Sequence, residues 1–548
     1  MSRVVSFLRS LRRLLVTLRV LVGSGMIAPM RPDKYLRQAL VVRRHGANAM
    51  SGIGLSAARA PKATALVDER GFLTWTELDQ RVDAAGVGLR ELLADGEGTQ
   101  HPTLGILCRN HRGLVESLAA ATRIGADALL LNTGFSGPQL RDVLEREHAT
   151  VVVYDEEFAP LLAQARERLP HLTEVLAWVE DPEHSHPGVH VLDELVDAHR
   201  GRRPAKPARP GRTVLLTSGT TGTPKGARRS GGAAGSLAAM LDRIPWRAGE
   251  TTVVVAPMFH AWGFGQLAIS ATMCCTVVMR RRFDPEATLA LVDRSQATGL
   301  AVVPVMLERI IGLPAATLEQ YSLASLRFVT ASGSRMRPDA VTAFMDRYGD
   351  IVHNSYNATE AGLISTATPA DLRVAPDTAG RPVLGTDLRI LDDHGREVPQ
   401  GEVGRITVRS DSAFEGYTSG ETKAFEDDFM VSGDLGRLDE AGRLYVVGRD
   451  DEMIVSGGEN VYPLEVEQTL NEHSDVVEAA VIGVDDQDFG QRLEAYVVLR
   501  DDASVTTDEL KKHVKTHLAG YKVPRRVVVL DDLPRNDSGK VMKRELGT

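Results

Sequence analysis

Cysteine is scarce in this chain. There are three in 548 residues, Cys108 and the adjacent pair Cys274-Cys275. That number and spacing supply neither a disulfide framework nor a zinc site, and a reducing cytoplasm is the natural setting. An excess of positive charge is missing as well. The net charge of −9 at pH 7 gives no global reason to bind nucleic acid. No internal repeat and no low-complexity tract is present. The first thirty residues are apolar, but arginines interrupt them too often for a spanning helix, which needs ~20 apolar residues. The same arginines break up a secretory signal core, and no small-residue cleavage site follows.

What is present is ordinary for a globular protein, with 43% hydrophobic and 25% charged residues. The chain is too long for one core, so two or more domains are expected. Residues 1–50 read as a basic amphipathic extension. On a helical wheel Val4, Phe7, Leu8, Leu11, Leu14, Leu15, Leu18 and Leu21 share one face. Arg9, Arg12 and Arg13 lie opposite, Arg19 sits at the edge, and no acidic residue precedes Asp33. Residues 1–30 suit the surface of an anionic membrane, or packing on the body of the protein or on another subunit. The expected location is the cytoplasm, with peripheral attachment at the inner face of the membrane as an option. Oligomeric state stays open, a homodimer included.

Strand-like apolar runs occur at residues 103–108, 150–154, 214–216, 252–255, 276–279, 300–303 and 326–330, with helical stretches such as 140–147 between them. Such alternation predicts an α/β fold with parallel-rich sheets. Residues 200–212, with three prolines and six basic residues, read as an exposed linker. The last hundred residues read as a smaller α+β unit. Strands are expected at 476–484 and 495–499, and Thr506-x-x-Glu509 is a capping box opening a helix that Gly520 ends. The expected domains are residues 51–447 and 452–548, joined through residues 448–451.

The most telling stretch is Thr217-Ser218-Gly219-Thr220-Thr221-Gly222-Thr223-Pro224-Lys225-Gly226, directly after a buried-strand pattern. Glycines permit close backbone approach and positive φ, successive N–H groups form an anion nest, and hydroxyls and one lysine add donors and charge. This is chemistry for holding polyphosphate. It is not a Walker A loop, because Thr223-Pro224 stands where glycine is required and Gly226 follows the lysine. The dinucleotide pattern G-x-G-x-x-G fails too.

The string resembles the phosphate loop of adenylate-forming enzymes, the group of acyl-CoA synthetases, luciferases and nonribosomal adenylation domains. Further matches follow in that family's order across residues 50–548. Pro257-Met258-Phe259-His260-Ala261-Trp262-Gly263 resembles the aromatic motif lining the acyl pocket. Ala331-Ser332-Gly333-Ser334 resembles the adenine loop. Tyr356-Asn357-Ala358-Thr359-Glu360 resembles Y-G-x-T-E, departing at Asn357, a residue that tolerates the positive φ of the usual glycine. Ser432-Gly433-Asp434 and Gly448-Arg449-Asp450-Asp451 resemble the ribose-binding and hinge segments. Ser456-Gly457-Gly458-Glu459-Asn460 continues that signature, and Pro534-Arg535-Asn536-Asp537-Ser538-Gly539-Lys540 resembles the segment carrying the catalytic lysine.

The resemblance implies a large N-terminal domain and a small mobile C-terminal domain that turns about Asp451. It implies ATP, Mg²⁺ and coenzyme A. Lys540, Thr359 and His260 would be catalytic. Thr217, Ser218, Gly219, Thr220, Thr221, Gly222 and Lys225 would hold phosphates. Gly333, Ser334, Tyr356 and Asn357 would face adenine, and Asp434 and Arg449 ribose. Gly457 and Gly458 would shape the thiol channel, and Thr217 and Glu360 would hold Mg²⁺. Residues 257–265 and 300–306 show no partner for a second charge on the acyl group. The expected activity is therefore a fatty-acid–CoA ligase acting on medium to long chains. A fatty-acyl-AMP ligase that serves a carrier protein is one alternative. A non-catalytic ligand-binding relative is another, against which Lys225, Glu360, Asp434 and Lys540 argue.

Overall fold

Runs of β-branched and aliphatic residues form the strands, and the carboxyl ends of those strands are where the chain turns polar. The computed structural model describes residues 2–46, 48–94, 102–180, 186–209, 211–217, 225–229, 233–410, 414–418, 422–452, 454–456, 459–486, 490–536 and 539–547. The chain forms two compact units. One comprises Met1–Asp377, Pro382–Thr386 and Ser410–Thr422, and the other Thr378–Arg381, Asp387–Arg409 and Lys423–Thr548. The second unit thus takes in residues well ahead of the 448–451 segment.

Two sheets organise the first unit. Across one of them run Gly362–Ala367, Val352–Ala358, Phe328–Ala331, Gly299–Val302, Thr251–Val254, Thr276–Met279, Thr64–Asp68 and Gly71–Thr74. The six central strands pair in parallel, and the flanking strands Gly362–Ala367 and Gly71–Thr74 are antiparallel. Across the other run Phe414–Tyr417, Lys225–Arg229, Thr213–Thr217, Asp127–Leu130, Thr103–Leu107, Ala149–Asp155, Thr173–Trp178 and His190–Val191. The parallel strands are buried on both faces, which is why they read as continuous apolar runs.

The expected strands and helices occur, with ends shifted by one to a few residues. Thr74 and Glu77 form a capping box at the start of helix Trp75–Ala94: the Thr74 N–H and hydroxyl donate to the Glu77 carboxylate at 2.8 and 2.7 Å. Helix Arg112–Ile124 is buried along its whole length. Its charges are matched. Glu116 accepts from Arg81 Nε at 2.5 Å, and Arg123 Nη1 donates to Asp83 at 2.7 Å. Burial raises the Glu116 carboxyl from its ordinary value, and Arg81 offsets part of that rise.

In the second unit, strands Thr386–Leu391, Gly404–Ser410, Phe429–Leu438, Phe425–Glu426 and Leu444–Arg449 form one sheet. The C-terminal sheet contains Ile454–Ser456, Glu459–Val461, Val476–Asp486, Gly490–Leu499 and Arg526–Leu530. Thr506 and Glu509 form the expected capping box of helix Thr507–His517. Gly520 does not end that helix. The chain leaves it at Leu518 in extended conformation, so no left-handed glycine cap is needed, and Gly520 opens the one-turn helix Gly520–Lys522.

Candidate active site

In an open α/β sheet, ligands bind beyond the carboxyl ends of the parallel strands. In the first unit the chemistry-bearing residues collect there. Pro257-Met258-Phe259-His260 follows strand Thr251–Val254, Ser332-Gly333-Ser334 follows Phe328–Ala331, and Thr359-Glu360 turns out of Val352–Ala358. Phe328–Ala331 and Val352–Ala358 are parallel neighbours. The Ser332 hydroxyl donates to the Ser355 carbonyl at 2.6 Å, tying the two exits together. Gly333 has φ +109°, a conformation side chains rarely adopt. Tyr356 and Asn357 lie inside strand Val352–Ala358.

That placement corrects one expectation. Asn357 pairs with Leu363 across the hairpin and is not among the positive-φ residues. A strand position makes no demand for a left-handed residue, so asparagine here needs no special tolerance. The register shifts beside it, between Tyr356 and Asn357, and Gly362 supplies the positive φ of the turn at +78°.

Glu360 is buried, and its Oε1 accepts the Tyr417 hydroxyl at 2.5 Å. Tyr417 belongs to the outer strand of the second sheet, where it pairs with Ala227. Its hydroxyl therefore links the Thr359-Glu360 turn of one sheet to the outer strand of the other.

The phosphate-loop candidate lies between strands Thr213–Thr217 and Lys225–Arg229. These are antiparallel, with Thr217 opposite Lys225. The stretch thus joins two strands of a hairpin, whereas a Walker A loop runs from a strand into a helix. Ser218, Gly219, Thr220, Thr221 and Gly222 lie outside the described residues. Gly226 shows why glycine follows the lysine. A Cβ there would meet Thr418 Oγ1 at 2.8 Å and Val214 Cγ1 at 2.9 Å.

His260 precedes helix Ala261–Thr272 as its N-cap without a side-chain cap bond, and its ring packs 4.5 Å from that of Phe259. The Trp262 indole N–H donates to the Val302 carbonyl at 2.9 Å. Gly263 is packed against the preceding turn, since a Cβ would lie 2.2 Å from the Pro257 carbonyl oxygen. Gly265 differs: a Cβ there would meet no heavy atom within 4 Å, so space is open beside the helix. One residue further, Gln266 is fully buried and its Oε1 has no hydrogen-bond partner among the described residues.

Asn110 holds this segment from the other sheet. Its Nδ2 donates to the Ala256 carbonyl at 3.0 Å, and its Oδ1 accepts from the Met258 N–H at 2.8 Å. Next to it, Cys108, His111 and Asp155 form a buried group whose ligand atoms lie within 4.8 Å of one another. The Gly113 N–H donates to His111 Nδ1 at 3.0 Å, so Nε2 carries the proton and donates to Asp155 at 2.7 Å. Both ring nitrogens are in use. Burial holds the Cys108 thiol well above its ordinary pKa. Burial alone would raise Asp155, but His111, the Arg109 N–H and the Arg281 charge together hold the carboxyl below its ordinary value. The group locks the strand exit, and His111, with both ring nitrogens engaged, has no free lone pair to offer a metal.

In the second unit, Asp434 and Arg449 face each other across strands Phe429–Leu438 and Leu444–Arg449, Nε to Oδ1 3.5 Å apart. The Ser432 hydroxyl accepts the Asp434 N–H at 3.1 Å, and Gly433 between them has φ +87°. Lys423 Nζ donates to the Ser432 carbonyl at 3.3 Å. Asp451 lies in the one-turn helix Asp450–Glu452. Gly457 and Gly458 are outside the described residues, and Ser456 pairs with Glu459 on either side of them. Lys540 is exposed on a tight hairpin in which its N–H donates to Asn536 Oδ1 at 2.9 Å and the Asn536 N–H donates to its carbonyl at 2.9 Å.

Each unit thus gathers its own share of the candidate residues. Tyr417, Asn110, Gln266 and Lys423 escaped the sequence reading. The first two act through contacts between distant segments. Gln266 lies one residue past the apolar stretch 257–265, and Lys423 sits in no motif.

A family model for the AMP-binding enzyme matches residues 55–418, and one for the AMP-binding enzyme C-terminal domain matches residues 465–540. The chain belongs to the AMP-binding enzyme family. It is 32% identical over 469 residues to an indoleacetate–CoA ligase of Aromatoleum aromaticum, covering 84% of this chain and 91% of that protein. It is 32% identical over 497 residues to a feruloyl-CoA synthase of an Amycolatopsis species, covering 89% and 96%. Among solved structures, it resembles the o-succinylbenzoate CoA synthetase of Bacillus subtilis in complex with its acyl-adenylate intermediate. That match has a TM-score of 0.76, 28% identity, and covers 91% of this chain and 98% of the other. ATP, Mg²⁺ and coenzyme A are the co-substrates and metal of an AMP-forming CoA ligase, as the motifs implied.

Proposed function

We propose that this AMP-binding enzyme activates an apolar aromatic carboxylic acid with ATP and transfers the acyl group from AMP to coenzyme A. The observation that carries the reading is near full-length likeness to CoA ligases named for aromatic acids. It revises the acyl group expected from sequence, a fatty acid, and keeps the chemistry. Phe259 and Trp262 offer flat apolar surface, Gly265 leaves room beside them, and Gln266 offers a buried acceptor for a ring N–H or O–H.

Glu360 fits Mg²⁺ by its donor chemistry: a buried carboxylate that accepts one hydroxyl still has lone pairs for a hard cation. Magnesium, when bound, offsets negative charge on phosphate oxygens. The stretch 217–226 would hold the β- and γ-phosphates, with Thr217 and Thr359 adding hydroxyl donors. Tyr356 and Gly333-Ser334 receive adenine. Asp434 accepts the ribose hydroxyls, with Arg449 fixing its carboxylate. Lys540 stabilises the charge shared by the attacking carboxylate and the α-phosphate. The carboxylate displaces pyrophosphate from the α-phosphate to give acyl-AMP; AMP then leaves as the thiol attacks the acyl carbon, with backbone torsion at Asp451 separating the two steps.

The test is a panel of carboxylic acids assayed for AMP release with coenzyme A. Arylacetic and cinnamic acids should exceed straight-chain acids in kcat/KM by about tenfold or more. Medium- or long-chain fatty acids are the second reading, favoured by the exposed apolar face described below; their dominance in the panel would replace the first. AMP release only with a carrier protein, or no pyrophosphate exchange with any acid, would point to an acyl-AMP ligase or a non-catalytic relative.

A further inference from the structure

The N-terminal extension is folded onto the first unit, and yet its outer surface is apolar. Helix Ser2–Gly23 packs through Val20 and Leu21, with Met26 beyond it, against Leu237, Leu241, Ile244 and Trp246. The Arg59 guanidinium donates to the carbonyls of Gly25 and Met26 at 2.7 and 3.2 Å. Helix Pro32–His45 is pinned by Lys34 Nζ on the Arg59 carbonyl at 2.6 Å and by Arg44 on the Pro204 carbonyl at 3.1 Å. Leu14, Leu15, Leu18 and Val22 share the outer face of the first helix, and Tyr35, Leu36, Leu40 and Val42 lie on the outer side of the second, each exposed.

The clustering is not a matter of scattered surface residues. Of sixteen large apolar side chains exposed among the described residues, nine fall within residues 14–42. A patch of that kind marks a contact surface. Its charge says with what. Residues 1–45 hold ten arginines and lysines and one acid, Asp33, a formal +9 in a chain of −9. Arg19, Arg37 and Arg43 are exposed among the apolar side chains. Apolar side chains framed by like positive charge suit the interface of a bilayer with anionic headgroups. The same charge opposes pairing of this face with its own copy, because an isologous contact would set basic residues against basic residues. No helix among the described residues is long and apolar enough to cross a membrane.

We infer that the outer faces of helices Ser2–Gly23 and Pro32–His45 together form a docking surface for an anionic lipid bilayer. The protein lies on the membrane through a prefolded two-helix face, not through a spanning segment. The surface reaches past the thirty residues that the sequence pattern singled out, because the second helix contributes Tyr35, Leu36, Leu40 and Val42 to it.

Co-sedimentation of the full chain with phosphatidylcholine vesicles, with and without phosphatidylglycerol, tests this. The chain should bind the anionic vesicles, bind the neutral ones weakly, and release with added salt. Leu36→Glu/Leu40→Glu should abolish binding, and Arg37→Gln/Arg43→Gln should weaken it about fivefold for each charge removed. Unchanged thermal melting of both variants shows that the fold survives. Absence of binding by the unaltered chain overturns the inference, as does equal binding by the leucine variant. A dimer seen by light scattering that Leu36→Glu/Leu40→Glu converts to monomer would reassign the face to self-association and also overturn it. The readout needs no knowledge of the acid substrate, so it stands or falls apart from the ligase reading.

Discussion

The Tyr417 hydroxyl donates to Glu360 Oε1 at 2.5 Å, joining the outer strand of one sheet to a hairpin turn of the other. If Glu360 binds magnesium, this bond sets the direction of the carboxylate. Glu360→Gln should slow pyrophosphate exchange by about a hundredfold or more, on the scale of losing a preorganised charge-stabilising group. Tyr417→Phe removes one hydrogen bond to a charged acceptor, worth about 1.5–3 kcal/mol. Adenylation should fall about tenfold or more, and the magnesium concentration for half-maximal rate should rise. A Tyr417→Phe enzyme with an unaltered magnesium profile would separate this contact from the metal.

Lys540 is exposed and its ammonium is free to act elsewhere than in packing. As a plain surface residue its loss would change stability by less than ~0.5 kcal/mol and activity hardly at all. As the charge-stabilising group of adenylation, Lys540→Ala should lose about 10²–10³ in the rate of acyl-AMP formation. The same variant should convert supplied acyl-AMP to acyl-CoA at close to the normal rate. Equal loss in both steps would count against a role confined to the first.

Asn110 bonds both the Ala256 carbonyl and the Met258 N–H, all three residues being buried. Asn110→Ala leaves both backbone groups unsatisfied. At roughly 1–3 kcal/mol for each, the variant should lose about 2–6 kcal/mol in urea unfolding. Because the Met258 segment borders the proposed acyl site, KM for the acid should rise more than KM for ATP.

His353 lies in strand Val352–Ala358, and burial pulls its imidazole pKa down to about 4 from 6.5. The folded state keeps it neutral while the unfolded chain takes up a proton near 6.5. Stability is therefore full above about pH 6.5 and is lost as pH falls toward 4, by about 3 kcal/mol. His45, lowered to about 4 mainly by burial, contributes with the same sign. Urea midpoints of His353→Gln should decline less between pH 6.5 and 4 than those of the unaltered chain, and parallel declines would exclude His353 as a source.

Gln266 has a buried Oε1 that no described residue satisfies. If a ring donor of the acid supplies the missing bond, Gln266→Leu should cost little stability and should reduce kcat/KM for donor-bearing acids about tenfold relative to plain analogues. An unchanged preference across the panel would take Gln266 out of the acyl site.

Much of this protein is readable in the chain itself. The parallel strands show as continuous apolar runs because both faces are covered. The capping boxes Thr74/Glu77 and Thr506/Glu509 are legible because a cap is satisfied within four residues. The residues that mark the AMP-binding enzyme family stand in short contiguous strings for the same reason: each loop follows its own strand. Tertiary structure decided what depends on distant partners. Strand pairing set Thr217 opposite Lys225 and placed Asn357 in a strand, where its tolerance of positive φ is not used. Packing between sheets brought Tyr417 to Glu360 and Asn110 to Met258, pairs 57 and 148 residues apart. It also split the apolar face of the first helix, half-burying Leu21 and leaving Leu14, Leu15 and Leu18 outside. Local hydrogen bonding can be read from neighbouring residues. Which buried surfaces meet is a property of the whole folded chain, because the free energy of burial depends on what covers each side chain and not on where it stands in the sequence.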